Sequence, residues 1–107
     1  MAKIYQVYVT EEFLADYENL SKSEREQVDK IRKHLKTNPF AGKPLGYRFF
    51  REKRVGGKRI YYLIYEDVVV ILLVAISDKK TQHATIDAIK VAFEKYRTDI
   101  RHKFDKA

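Results

Sequence analysis

The chain has 107 residues, no cysteine and a formal net charge of +7. This length predicts one domain over residues 1–107, and the lack of cysteine excludes disulfides and thiolate metal sites. No secretory signal is predicted, because Lys3 is followed at once by the alternating segment IYQVYV. The longest apolar run, Val68 to Ile76, is too short to cross a membrane. We therefore expect a cytoplasmic protein that contacts no membrane.

The first forty residues predict one strand and two helices. The segment KIYQVYV alternates and is rich in aromatic and β-branched residues, as is typical of a strand. Thr10 is a predicted N-cap for the helix that follows. The segment SKSE, Ser21 to Glu24, predicts a capping box that opens a second helix, which Pro39 ends. We expect the two helices to cover one face of a sheet.

The rest of the chain predicts a loop, three strands and a helix. FAGKPLGY is predicted to be a loop because glycine and proline interrupt it three times. The three strands are RFFREKRV, KRIYYLIYE and VVVILLVAIS, joined by turns at Gly56-Gly57 and Glu66-Asp67. One helix is predicted over about residues 83–103. The order β-α-α-β-β-β-α predicts an α+β domain with a twisted, mainly antiparallel sheet packed by helices.

The positive charge is concentrated in the middle of the sequence. Residues 41–66 contain seven lysines and arginines against two acidic residues, whereas residues 1–40 contain seven of each. A localised cationic field attracts polyanions, of which nucleic acid is the commonest. This distribution favours contact with nucleic acid or the ribosome. The alternative that remains open is that the charge serves solubility alone.

The cations around the Gly56-Gly57 turn are the candidate site. Because alternate residues of a strand face opposite sides, Arg54 shares a face with Glu52, whereas Arg51 and Lys53 share the other face. The hairpin brings Arg54 close to Arg59. The remaining cations of this region are Lys58, Lys79 and Lys80.

Arginines in such a cluster suit two tasks, because the guanidinium is planar and always charged. They would hold phosphates, and they would stabilise the charge that develops on a phosphoryl group while a ribose 2′-oxygen attacks it. Arg59 lies at a strand end, so we expect its removal to leave folding intact. The alternative is that Arg54, Lys58 and Arg59 only solubilise an exposed hairpin.

Other catalytic motifs are absent. The sequence contains no phosphate loop, dinucleotide fingerprint or nucleophile elbow. The histidines, His34, His83 and His102, show no spacing that suggests a metal site. His83 differs from the other two because it lies close to the end of the last predicted strand.

The segment RVGGKRIYYLIYEDVVVILLVAISDKKT resembles the RelE/ParE superfamily of toxin–antitoxin toxins. The shared pattern is Arg-Val-Gly, one or two residues, Arg, a Tyr-bearing apolar strand, an acidic turn, a Val/Ile strand and a short basic exit. The order of elements matches too, so the resemblance spans about residues 3–96. It implies a β-α-α-β-β-β-type fold. RelE-like members cleave mRNA in the ribosomal A site without a metal or other cofactor, whereas ParE-like members poison DNA gyrase.

The resemblance also implies roles for individual residues. Arg54 and Arg59 match the two hairpin arginines of the family, and Lys79 matches the basic residue after the last strand. It implies that Arg59, Lys79 and His83 are catalytic. Predicted RNA-binding residues are Arg51, Lys53, Arg54, Lys58 and Lys80. Three positions depart from the family: Phe50 and Glu52 stand where basic residues are expected, and Thr85 stands where active nucleases have tyrosine or histidine.

The resemblance implies a toxin that cleaves ribosome-bound mRNA and is silenced by a cognate antitoxin. Two alternatives remain open: a non-catalytic ParE-like or inactive relative that acts by binding protein, and a basic nucleic-acid-binding module unrelated to toxins. The basic hairpin favours the nuclease, and the missing late tyrosine favours the alternatives.

The predicted C-terminal helix is longer than a small sheet requires. At about 1.5 Å per residue, residues 83–103 would span roughly 30 Å. We expect the part that carries Tyr96, Ile100 and Phe104 to overhang the domain and expose an apolar stripe. Its partner would be an antitoxin helix or, in a homodimer, a second copy of this chain. The alternative is a frayed tail.

Overall fold

A computed structural model describes residues 3–104 of the chain. Residues 1–2 and 105–107, the two ends of the predicted domain, lie outside the described residues. A short 3₁₀ helix, Pro39–Ala41, lies in the middle of the chain. The other elements, in chain order, are β1 (Gln6–Val9), α1 (Glu11–Glu18), α2 (Lys22–Leu35), β2 (Lys43–Tyr47), β3 (Phe50–Val55), β4 (Lys58–Tyr65), β5 (Val70–Asp78), α3 (Gln82–Val91) and α4 (Phe93–Phe104).

The strands form one five-stranded sheet in the order β1-β5-β4-β3-β2. β1 runs parallel to β5, and every other neighbouring pair is antiparallel. The α1–α2 pair follows β1 and leads to the remaining strands. The last strand, β5, then lies beside β1, which forms one edge of the sheet. The predicted α+β class and mainly antiparallel sheet are confirmed.

Helices pack on both faces of the sheet. One face of β4 and β5 joins α1 and α2 in a core that includes Phe13, Val28, Leu35, Tyr62 and Leu73. The other face joins α3 and α4 in a second core. That second core includes Phe50, Tyr61, Leu63, Leu72, Ile89 and Ile100. Burial on both faces explains why β4 and β5 are apolar along their whole length rather than alternating.

The caps predicted for the first two helices are present. The backbone N–H of Phe13 donates to Thr10 Oγ1 at 3.0 Å. Ser21 and Glu24 form the complete capping box, with the two reciprocal hydrogen bonds at 3.0 and 3.1 Å. These bonds satisfy backbone donors that helix ends leave unpaired, so the local sequence defines where α1 and α2 begin.

The segment predicted as a loop before the sheet contains an edge strand. β2 pairs with β3 over Lys43, Pro44 and Tyr47, with an irregularity in between. Gly46 lies at that irregularity with φ of 88°. Proline and glycine are compatible with an edge strand, because one side of the strand needs no hydrogen bonds. The predicted loop was wrong because pairing with β3, rather than the local sequence, makes this segment a strand.

The turn between β4 and β5 is longer than predicted. It spans residues 66–69, and β5 begins at Val70 rather than Val68. Val69 has φ of 58°, a conformation that a β-branched residue rarely adopts. Its carbonyl accepts a hydrogen bond from the Gln6 N–H at 3.1 Å, which ties the turn to the start of β1.

The C-terminal segment forms two helices, not one, and it does not overhang. The break falls at Ala92, and no glycine or proline lies there to indicate it in the sequence. Ile100 is buried in the second core, and the Phe104 ring contacts Tyr8 with centroids 5.4 Å apart. Arg97 donates two hydrogen bonds to the Asp67 carboxylate, at 3.1 and 2.9 Å, and so joins α4 to the β4–β5 turn. The expected exposed stripe is therefore absent from α4.

Among residues 3–104, no helix combines the length and the apolarity needed to cross a membrane.

The close approach of Gly42 to Tyr62 gives a test of the packing. The Tyr62 hydroxyl accepts from the Gly42 N–H and donates to the Pro39 carbonyl, at 2.9 and 2.8 Å. A Cβ on Gly42 would lie 2.6 Å from this hydroxyl and 2.7 Å from the Glu52 carbonyl oxygen. We expect Gly42→Ala to lower the free energy of unfolding by about 2 kcal/mol in urea titrations. Gly57→Ala, in open space, is the control, and equal stability of the two variants would contradict the contact.

The burial of Ile100 gives a test of how α4 docks. Ile100→Ala should lower the free energy of unfolding by about 3 kcal/mol, because it leaves a cavity in the second core. Val91→Ala is the matched control, since Val91 is 88% exposed. Thermal unfolding measures both. An Ile100→Ala protein as stable as the control would mean that α4 is undocked in solution.

Candidate functional site

The ladder of the sheet sorts the basic residues into two faces. Arg54 pairs with Arg59 across the hairpin, and Arg59 pairs with Ser77 of β5. Directly opposite residues share a face, so these three side chains form one row across three strands. Lys43, Glu52 and Tyr61 form the adjacent row, which extends to the edge strand. The two rows define what we call the hairpin face, at the end of the sheet nearest Gly56-Gly57.

The end of β5 supplies further cations to this end of the sheet. Lys58, the first residue of β4, pairs with Asp78, the last residue of β5. The chain therefore leaves β5 level with the hairpin, and Lys79 and Lys80 follow it on the surface. Both lysines are exposed, as is Arg54. The predicted approach of Lys79 to the hairpin agrees with this register.

Arg59 is buried, which the sequence did not predict. It is 7% exposed, as is Glu52, and its Nε lies 3.8 Å from Glu52 Oε2. The Glu52 oxygen has no hydrogen-bond partner within the described chain. Arg59 is buried although it is only the second residue of β4, so the premise that a strand end leaves it exposed was wrong. A buried charge requires its partner.

Tyr61 lies in the row beside Arg59. Its hydroxyl shares a hydrogen bond of 2.8 Å with Ser77 Oγ. Burial raises the pKa of the Tyr61 hydroxyl above its usual value, so it stays protonated at neutral pH. Tyr61 can therefore donate a hydrogen bond on this face, but it cannot act as a base there.

Three of the predicted RNA-binding residues lie on the opposite side of the sheet. Arg51 donates to the backbone carbonyls of Phe40 and Gly42, at 3.0 and 2.8 Å, and so has a structural role. Lys53 faces the α2 side with Arg51, because the β3–β4 register has no shift.

Lys58 also lies on the α2 side, next to two carboxylates. It helps to hold the pKa of Asp78 below its usual range, after the larger effect of the Thr81 hydrogen bonds. It also lowers the pKa of Glu24, which the Ser21 hydrogen bond lowers most. Arg51, Lys53 and Lys58 therefore do not contribute to the hairpin face.

His83 lies in the first turn of α3 and is exposed. The turn before it is fixed by Asp78, which accepts hydrogen bonds from the Thr81 N–H and hydroxyl at 2.9 and 3.0 Å. No hydrogen bond joins the His83 ring to another residue of the described chain. The imidazole is thus free to meet a ligand at the same end of the sheet as Lys79. Residues 3–104 contain no group of three acidic, histidine or cysteine side chains that could hold a metal ion.

Two members of the hairpin face were missed from the sequence. Lys43 was assigned to a loop, yet β2 places it opposite Glu52. Glu52 was treated as a departure from a family pattern, yet it is the ion-pair partner of Arg59. The even spacing of Glu52 and Arg54 indicated that they share a face, whereas nothing local indicated that β2 joins the sheet.

The Glu52–Arg59 pair gives a test of the site's architecture. Arg59→Met should lower the free energy of unfolding by about 3 kcal/mol, because it leaves the Glu52 carboxylate buried and unpaired. The double variant Glu52→Leu with Arg59→Met should recover most of that loss. Urea unfolding of both proteins measures the difference. If the single variant is as stable as wild type, Arg59 is not held by Glu52.

Comparison with solved structures identifies the architecture. At the level of sequence, no family model and no curated protein matches the chain. A double-arginine mutant of E. coli toxin RelE in the free state superposes with a TM-score of 0.69 at 23% identity, covering 84% of this chain and 97% of that one. The Mycobacterium tuberculosis RelBE2 toxin–antitoxin complex gives 0.63 at 21% identity, with 72% and 93% covered.

The YoeB/ParE toxin from Agrobacterium tumefaciens gives a TM-score of 0.60 at 18% identity, with 68% of this chain and 96% of that chain covered. All three matches extend over nearly the whole length of the solved toxins. The likeness at this low identity lies in the order and packing of the elements, including the strand order around the hairpin. The chain therefore has the fold of the RelE/ParE toxins.

Proposed function

We propose that this chain is the toxin of a toxin–antitoxin pair and that it is a ribosome-dependent mRNA endoribonuclease that blocks translation. The observation that supports the proposal is that four segments bring cations to the end of the sheet that carries the hairpin face. Lys43 comes from β2, Arg54 from β3, Arg59 from β4 and Lys79 from the end of β5. A cluster drawn from separate elements is held in place by the sheet, as a preorganised phosphate site requires.

The chemistry proposed for this site needs no metal ion. The 2′-hydroxyl oxygen attacks the adjacent phosphorus, the bond from phosphorus to the 5′-oxygen breaks, and a cyclic phosphate and a 5′-hydroxyl result. The 2′-hydroxyl must lose a proton and the leaving 5′-oxygen must gain one. His83, exposed at the start of α3, is the proposed group for both transfers: a ring nitrogen takes the proton from the 2′-hydroxyl and then returns it to the 5′-oxygen.

The cations have different proposed roles because they differ in exposure. Arg54 and Lys79 are exposed and would bind phosphates of the mRNA, with Lys80 beside them. Arg59 would stabilise the charge on the reacting phosphoryl group, which requires the phosphate to compete with Glu52 for the guanidinium. The charge of the transition state exceeds that of the substrate, so this competition would favour the transition state.

A second candidate function is supported by the same ion pair. Glu52 already neutralises Arg59, and both side chains are buried. A site whose central arginine is paired fits a ParE-like or inactive relative that acts by binding protein. In that case the exposed cations would contact the protein target or serve a general affinity for nucleic acid.

The proposed partners follow from the same likeness. Several of the similar structures are toxin–antitoxin complexes, such as RelBE2 from Mycobacterium tuberculosis. We infer that a cognate antitoxin binds this chain. The proposed target of the chain is the translating ribosome with its mRNA, so the proposed location of the chain is the cytoplasm. A homodimer through the C-terminal helix is not proposed, because Ile100 and Phe104 pack on their own sheet.

The nuclease proposal predicts a specific loss of activity. The variant Arg54→Gln with Lys79→Gln should cleave ribosome-bound mRNA at least about a hundredfold more slowly, because phosphate-binding cations are lost from the transition state. Both residues are exposed, so folding should be unchanged. Lys90→Gln, exposed near the far end of α3, is the matched control. Cleavage is measured by primer extension on programmed ribosomes, with growth after induction as the cellular readout.

The outcomes separate the candidate functions. Growth arrest without mRNA cleavage by the wild-type protein would favour the protein-binding toxin. Normal growth with intact mRNA would favour a basic module unrelated to toxins. Cleavage that survives in the double variant would place the active site elsewhere on the molecule.

A further inference from the structure

A second basic surface lies on the side of the sheet that α2 covers. It consists of three residues from the C-terminal half of α2, the residue that caps its C-terminus and one residue of β3: Lys30, Arg32, Lys33, Lys36 and Lys53. The first four are exposed and Lys53 is half-buried. We call these five residues the α2–β3 surface. It was not expected from the sequence, which assigned Lys53 to the same site as Arg59.

The cations of the α2–β3 surface are not neutralised within the described chain. None of the four ion pairs between residues 3 and 104 includes any of the five. The contrast with the hairpin face is direct, because Arg59 there is paired with Glu52. The nearest acidic side chain on α2, Asp29, accepts a hydrogen bond from the Tyr17 hydroxyl at 2.8 Å. The surface therefore presents cations that are available to an anionic partner.

The five cations form one continuous surface. One depression of about 320 Å³ is lined by Lys30, Arg32, Lys33 and Lys36, with Asp29 as its acidic member. A second depression of about 180 Å³ lies between α2 and β3, where Lys30, His34 and Lys53 meet. Lys30 lines both depressions and so joins them.

The helix dipole explains only part of this arrangement. Cations in the last turn of a helix are favourable without any ligand, which accounts for Arg32 and Lys33. It does not account for Lys53, which the sheet brings to the same place, or for Lys30, one turn earlier. Cations from two rigid elements that converge on one surface are typical of a phosphate-binding site.

The chemistry of the surface selects one kind of nucleic acid. The large aromatic side chains that are exposed in the described chain are Tyr47 and Phe49, and neither lines the two depressions. Among the described residues, the aromatic ring that lines these depressions is the His34 imidazole, which lies 3.2 Å from the Asn38 amide nitrogen. A single ring offers no row on which successive bases of a single strand could stack. The residues from Lys30 to Lys36 extend about 9 Å along a rigid helix, enough to face successive phosphates of a preformed backbone. Double-stranded RNA is recognised mostly through shape and backbone.

We propose that the α2–β3 surface binds the phosphate backbone of double-stranded RNA without regard to sequence. This contact goes beyond the proposed nuclease site, since it lies on the opposite side of the sheet and involves different residues. It would hold folded RNA against α2 and leave the hairpin face free for a single strand.

The test uses the salt dependence of binding. A fluorescently labelled RNA hairpin is titrated with the full chain by anisotropy at several salt concentrations. Each phosphate-binding cation removed lowers the slope of log affinity against log salt by about 1. The variant Lys30→Gln, Lys33→Gln, Lys53→Gln should therefore bind at least about tenfold more weakly at 0.1 M salt, an order-of-magnitude estimate, and its slope should fall by about 3.

A matched control separates a site from net charge. The variant Lys22→Gln, Lys90→Gln, Arg101→Gln loses the same charge from exposed positions elsewhere and should keep the wild-type slope. Equal losses in both variants, or no loss in either, would overturn the proposal. Binding of the wild-type chain to an acidic peptide but not to the RNA hairpin would overturn it too. The variant Arg54→Gln with Lys79→Gln should keep most of the wild-type affinity for the RNA hairpin. Failure of the nuclease test would therefore leave the result of this binding test unaffected.

Discussion

Burial of β4 on both faces is the constraint on which the rest of the structure depends. Seven of its eight residues are buried, including Arg59 at its second position. A strand that is covered on both sides needs helices above and below it, so α1 and α2 pack on one face and α3 and α4 on the other. The apolar area removed from water at this strand is the main favourable contribution to the stability of the fold.

The same burial dictates how polar groups on β4 must be arranged. Three of its four buried polar side chains have a partner, because an unpaired polar group in the interior is costly, whereas the Tyr65 hydroxyl has no hydrogen-bond partner among the described residues. Arg59 has Glu52, Tyr61 has Ser77, and the Tyr62 hydroxyl bridges Pro39 and Gly42. The Glu52–Arg59 pair therefore belongs to the core as well as to the candidate site. A ligand that bound Arg59 would therefore also change an ion pair on which the core depends.

The two faces of the sheet also divide the basic residues into two groups with different surroundings. On the hairpin face, Arg54 and Lys79 are exposed beside a buried ion pair. On the other side, Lys53 joins the cations of α2 that have no ion-pair partner in the described residues. The basic segment, residues 41–66, thus contributes to two separate surfaces, although it supplies only Lys53 to the second. Two surfaces on opposite sides of a thin domain would let it contact folded RNA and a single strand at the same time.

The sequence by itself determined the order of the elements apart from β2 and the division of the last helix, the helix caps at Thr10 and Ser21, and the neighbouring positions of Arg54 and Arg59. These features are local: a cap depends on four residues, and a two-residue turn sets the register of its hairpin. Alternation along β3 also showed that Arg51 and Lys53 face away from Arg54. The fold class followed because strand and helix periods differ clearly in this chain.

Only the tertiary structure decided what depends on contacts between distant segments. β2 becomes a strand because β3 offers it an edge, although Pro44 and Gly46 disfavour one locally. The break at Ala92 and the docking of Ile100 follow from packing on the sheet, since nothing in the local sequence stops the helix there. The burial of Arg59 is likewise a tertiary feature: it lies in the central strand β4 between β3 and β5 and beside the Glu52 carboxylate, and β5 is distant from the hairpin along the chain.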